Sequence, residues 1–96
     1  MSEFVQIMRF KTDQVDQLAK MNAQYRADTA GRSTQTSEVV GQDLDSGEYV
    51  VIVTFPSREA ADANNNALPE TQALAEQTAA LCDGPISFSN VEVRDI

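Results

Sequence analysis

Histidine and tryptophan are both missing from the 96 residues. Their absence removes the commonest general base, the commonest metal ligand and the usual proximal haem ligand from any scheme for this chain. A single cysteine, Cys82, leaves no partner for an intrachain disulfide, so the fold rests on packing alone. Basic side chains are scarce too: 7 Lys and Arg stand against 15 Asp and Glu, a formal net charge of -8. A field of that sign repels nucleic-acid phosphates and anionic lipid surfaces, which disfavours both as partners. No hydrophobic run approaches a membrane span, and Met1-Ser2-Glu3-Phe4 lacks the basic start and apolar stretch of a secretion signal. The expected location is the cytoplasm. No cation-rich, glycine-rich phosphate loop occurs either, which argues against a nucleotide ligand.

What is present is ordinary for a globular protein: 42% of residues are hydrophobic and 23% charged. Residues 1–96 are read as one domain, because the length suffices for one hydrophobic core and not for two. Phe4 to Phe10 is rich in β-formers on both parities and predicts a strand covered on both faces. Thr12 or Asp13 offers an N-cap for a helix carrying Val15, Leu18 and Tyr25 on one side, with Gly31 as its stop. A more polar strand follows around Thr36 to Gln42. The turn chemistry of Asp43-Leu44-Asp45-Ser46-Gly47 then leads into the apolar run Tyr49 to Phe55, so the pair reads as a hairpin. Ser57 is a good N-cap for a second helical segment from about Arg58 to Cys82. That segment is expected to break near Pro69, with Asn66 to Leu68 irregular. Asp83-Gly84-Pro85 stops it, and a last strand runs from Ile86 to Val93.

The stretches Lys11 to Gln35 and Pro56 to Pro85 are each long enough for a helical crossover, whereas the middle strands share a tight turn. The order βαββαβ predicts an α+β, ferredoxin-like domain: an antiparallel sheet with the first and third strands central and helices on one face. The third strand is apolar on both parities, with Tyr49, Val51, Val53 and Phe55 on one and Val50 and Ile52 on the other. The face without helices would then be a sizeable apolar patch, which soluble monomers rarely keep. Sheet-to-sheet packing of a second copy about a two-fold axis is the expected cover.

This element order and apolar pattern, with the stretch Tyr49 to Pro56 and the corner Leu68-Pro69-Glu70-Thr71, resembles the dimeric α/β-barrel superfamily. That group includes antibiotic-biosynthesis monooxygenases and bacterial stress-type proteins, and the resemblance covers essentially the whole chain. It implies a pocket between helices and sheet, where amide and aromatic side chains surround an aromatic substrate without an organic cofactor. The missing histidine and tryptophan depart from the haem-degrading members.

Helical-wheel placement puts Asn22 and Thr29 within the apolar face of the first helix, and Asn64 among Ala60, Ala61, Ala67 and Leu68 of the second. Asn65 and Asn66 are expected to look outward. Gln6 alternates with Phe4, Met8 and Phe10 in the first strand. Gln6, Asn22, Tyr25 and Asn64 are thus the candidate ligand-binding residues, with no cofactor and no metal expected. Backbone or water could equally satisfy each of these polar groups. If a cavity lies there, replacing Asn64 with leucine should weaken ligand binding and leave thermal stability nearly unchanged; loss of stability with no binding phenotype would assign Asn64 to the scaffold. Asp43, Asp45 and Glu48 lack the full spacing of a calcium loop and suit a hairpin turn better. Cys82 shares a face with Thr71, Leu74, Ala75, Thr78 and Leu81 and is expected to be an inert core thiol. Two functions remain open. One is a small-molecule-binding dimer, in its boldest form a cofactor-independent monooxygenase of an aromatic or quinone-like compound. The other is a non-catalytic homodimeric structural or stress-response domain.

Overall fold

A computed structural model of the protein describes residues 2–94. Its strands are β1 (Phe4–Phe10), β2 (Ser37–Gln42), β3 (Tyr49–Phe55) and β4 (Ser87–Glu92). They form one antiparallel sheet in the order β2-β3-β1-β4. The two strands with apolar residues on both parities take the centre, where neighbours and packing shield them. The polar strands take the edges, where unpaired backbone groups meet water. Three helices complete the chain: α1 (Val15–Asp28), α2 (Arg58–Ala67) and α3 (Pro69–Leu81). The architecture is the ferredoxin-like βαββαβ arrangement, with the second helix divided in two.

Register fixes the faces, since residues directly opposite in an antiparallel pair point the same way. Gln6 stands between Val53 and Asn90, and Met8 between Val51 and Phe88. On this side Phe4, Phe10, Val51, Val53 and Phe55 pack with Leu18 of α1 and Ala61 of α2 into the core. Phe55, at 1% exposure, is the most deeply buried large apolar side chain. Burying each such side chain is worth about 1.5–3 kcal/mol. Val5, Ile7, Val50 and Ile52 lie on the opposite face, which no helix of this chain covers.

Several local expectations shift by a residue or two for identifiable reasons. The N-cap position of α1 is Gln14, with no side-chain cap bond, and not Thr12 or Asp13. The Thr12 hydroxyl instead accepts the Gln14 N–H at 3.0 Å and donates to the Leu81 carbonyl at 2.6 Å, tying the start of α1 to the end of α3. At the other end of α1 the Thr29 hydroxyl donates to the Tyr25 carbonyl at 2.8 Å. Gly31 follows with φ of 82°, a left-handed turn that glycine adopts without strain.

Ser57 does cap α2, accepting the Ala60 N–H at 3.1 Å. The break between α2 and α3 is narrower than expected, because Asn66 is helical and only Leu68 is extended, with φ -102° and ψ 109°. Proline acts sterically on the one residue before it and is itself tolerated at the first helical position, so a single residue suffices to turn the chain. In the hairpin Asp43 Oδ1 accepts the backbone N–H groups of Asp45 and Ser46 at 3.0 and 3.3 Å, while Gly47 takes φ of 79°. Those donors, aided by Arg9 at 3.2 Å, hold the Asp43 carboxyl below its ordinary range. The acidic cluster is therefore turn chemistry. Among the described residues no helix is long and apolar enough to cross a membrane.

Candidate functional site

A cavity of about 630 Å³ lies between α1, α3 and the helix side of the sheet. It falls within the range of small-molecule sites, about 300–1,000 Å³. The spacing in α1 sets one wall: Val15, Leu18, Asn22 and Tyr25 recur every three or four residues and so face the sheet together. Met8, Val51 and Val53 make an apolar floor. Val40 and Phe88, on the edge strands, also line the cavity and are 54% and 63% exposed, so it opens to solvent there.

All four residues predicted from the sequence, Gln6, Asn22, Tyr25 and Asn64, line this cavity. Their hydrogen bonds divide them into two groups. Asn64 is 2% exposed and held by the scaffold: its Oδ1 accepts the Ser33 hydroxyl at 3.0 Å and the Thr34 N–H at 3.2 Å. A backbone N–H can only donate, which fixes the orientation of the amide. Its Nδ2 donates to the Tyr25 hydroxyl at 3.3 Å, 2.8 Å from Thr71 Oγ1, and the Thr71 hydroxyl donates to the Asn64 carbonyl at 3.2 Å. Tyr25 must then donate to Thr71, and the bonds close a ring that joins α1, α2 and α3. These bonds argue against the expectation that Asn64→Leu leaves stability nearly unchanged, because the exchange strips a partner from Ser33, Thr34 and Tyr25.

Gln6 and Asn22 are held from fewer sides. Gln6 Nε2 donates to Asn90 Oδ1 at 3.2 Å, across the β1–β4 pair. Its Oε1 accepts Asn65 Nδ2 at 3.4 Å. Asn65 therefore does not look outward as the wheel suggested. It is half-buried and lines the cavity. The apolar stripe of a helix packed on a sheet is about 100° wide or more, enough for adjacent positions both to look down.

Sequence reasoning missed Glu38. Its carboxylate lines the cavity, half-buried, with Oε1 accepting Asn22 Nδ2 at 2.6 Å. The signal was there in period two: Glu38 and Val40 share a parity in β2, and pairing with Val53 and Val51 turns that parity toward the helices. Cys82 is half-buried against the core, and burial first, then Asp83, push its thiol upward, as suits an unreactive position. Outside the cavity lining Arg32 pairs with Glu70, tying the loop after α1 to the first turn of α3.

No protein-family model and no curated protein matches the chain. Solved structures do match. A protein of Mycobacterium tuberculosis is 21% identical, with 99% of this chain and 98% of that one covered and a TM-score of 0.78. SnoaB, a cofactor-independent oxygenase from Streptomyces nogalater, is 17% identical over 100% of this chain and 97% of its own, with a TM-score of 0.79. A structure described as an antibiotic biosynthesis monooxygenase is 15% identical over 96% and 99%, with a TM-score of 0.74. At such identities the likeness carries the fold, end to end, as the ferredoxin-like domain of antibiotic-biosynthesis-monooxygenase structures.

Proposed function

We propose that the cavity receives a small aromatic compound with a polar edge, and that the chain is a cofactor-independent monooxygenase of such a hydroxylated or quinone-like molecule. The observation that carries this reading is the cavity itself. A purely structural domain has no need of a 630 Å³ space between helices and sheet, which costs dispersion contacts and invites water. Its walls suit a ring: Met8, Val51 and Leu18 provide apolar contact, the Tyr25 ring a flat edge, and Gln6 and Asn22 polar groups that orient one side of the ligand. The shared fold with a cofactor-independent oxygenase supports the boldest part of the reading. Amides are not bases and a carboxylate is a weak one, which favours a substrate whose hydroxyl ionises readily, as in hydroquinone-like compounds.

The working unit in this proposal is a homodimer packed through the sheet face opposite the helices. Val5, Ile7, Val50 and Ile52 make the centre of that face, and Val39 and Val91, 59% and 42% exposed, extend it to both edges. A second copy would remove this patch from water. Native mass spectrometry against a panel of aromatic and quinone-like compounds tests the reading, followed by oxygen uptake with the compounds that bind and no added metal or flavin. Stoichiometric binding with oxygen uptake supports it. Binding without uptake would reduce the protein to a carrier, and no binding across the panel would overturn it.

A further inference from the structure

We infer that Glu38 is the acceptor for the ligand's hydroxyl proton and that Asn22 is the residue that positions it, so the cavity selects phenols in their protonated form. This rests on the proposed reading of the cavity as a site for hydroxylated aromatics. Among the described residues Glu38 is the one carboxyl group in the lining; the other ionisable side chains there are Tyr25, Tyr49 and Arg26. A half-buried carboxylate among apolar walls is costly unless donors or a cation answer it. Among the described residues no cation lies within ion-pairing distance of Glu38, since the pairs formed are Arg9 with Asp43 and Glu48, Arg32 with Glu70, and Arg94 with Glu92. Its one side-chain partner is Asn22, which takes Oε1.

A carboxylate offers about four acceptor positions. Oε2 and the remaining lone pair of Oε1 are thus available to a donor arriving in the cavity, and a phenolic hydroxyl is such a donor with no charge of its own to repel. Asn22 narrows the geometry. Its amide reaches across from α1 to β2 and holds the carboxylate at 2.6 Å, restricting the rotamer of a side chain on an edge strand. When the ligand ionises, its O–H bond breaks, the electron pair stays on the ligand oxygen, and the proton passes to Glu38 Oε2. A ligand that arrives already ionised meets carboxylate against phenolate in a protein of net charge -8. Arg26, one turn beyond Asn22 on α1, is the only cation in the lining among the described residues and works in the opposite sense, so the pH profile of binding reports which charge governs the site.

The test is equilibrium binding of a nitrophenol to the full-length protein, at pH values well below and well above the ligand's own pKa and within the range where the protein stays folded. The wild type should bind the neutral form about tenfold or more tightly than the phenolate, the scale of one charge-assisted hydrogen bond. Glu38→Gln keeps the size and an acceptor for Asn22, and should lose that preference. Asn22→Ala keeps the Glu38 carboxylate but frees its rotamer and should weaken the preference, and Asn22→Gln should restore part of it. Equal binding of both forms by the wild type, or an unchanged pH profile in Glu38→Gln, would overturn the inference and leave the cavity reading intact. If neither wild type nor variant binds the compound in either form, both fall together.

Discussion

Replacing Asn64 with leucine should be among the most damaging single changes in the chain, and the size of the effect follows from its partners. The side chain is 2% exposed, accepts from Ser33 and Thr34, and donates to Tyr25. Leucine has the same branched outline with bulkier tips, so no cavity opens; tight packing adds to the cost, and the stranded polar groups set its minimum. The Thr34 N–H is fixed by the backbone and cannot turn to a new partner. The Ser33 hydroxyl can rotate toward water, and Tyr25 keeps its bond to Thr71. One buried donor left without a partner costs about 1–3 kcal/mol, and the partial loss at the two hydroxyls brings the total to about 2–4 kcal/mol. A domain of this size has about 5–15 kcal/mol in all. Thermal unfolding followed by circular dichroism should therefore show Tm lower by about 10 °C or more. A fall of less than about 4 °C, the equivalent of under 1 kcal/mol, would refute the reasoning by showing that the three partners find water as readily as they find Asn64.

Other perturbations separate the remaining parts of the account. Ile52→Asp puts a charge at the centre of the uncovered sheet face, so the dimer expected for the wild type in sedimentation should become monomer or aggregate; an unchanged dimer would move the interface elsewhere. Pro69→Ala should cost less than about 1 kcal/mol in urea unfolding, because proline at the first helical position forfeits no hydrogen bond there; a larger loss would mean that the turn depends on the ring. The Glu70 carboxyl is held below its ordinary value of 4.5, first by the hydrogen bond from Arg32, then by its own backbone N–H and the Arg32 charge. A depressed folded pKa contributes stability that is complete above the unfolded value and is lost as pH falls through the folded one. Tm measured down the pH scale should therefore fall below pH 4.5 less steeply in Glu70→Gln than in the wild type; parallel curves would remove Arg32 and Glu70 from the explanation.

The sheet was legible because its signals are local. Apolar residues on both parities in Phe4–Phe10 and Tyr49–Phe55 require cover on two faces, and only central strands of a layered fold have it. Pro69 likewise announces its break in its own ring. Asn22 and Tyr25 follow from the helical period of α1, and the cavity gathers both. Glu38 was not singled out, because β2 carries one valine on each parity, Val39 and Val40, and only its register against β3 shows which parity faces the helices. The role of Asn64 was only half visible: its burial follows from the wheel, but its partners come from Ser33 and Thr34, in a loop whose path no periodicity describes. Asn65 shows the complementary limit, since a wheel gives directions around an axis and not the width of the face that the sheet will cover.

A crystal structure of the protein soaked with a hydroxylated aromatic compound tests the central claim most directly. The account predicts one ring lying between α1, α3 and the sheet, in contact with Met8 and Tyr25, its hydroxyl within hydrogen-bond distance of Glu38 Oε2. A cavity closed by side-chain repacking, or filled only by ordered water while the compound sits elsewhere on the surface, would contradict it.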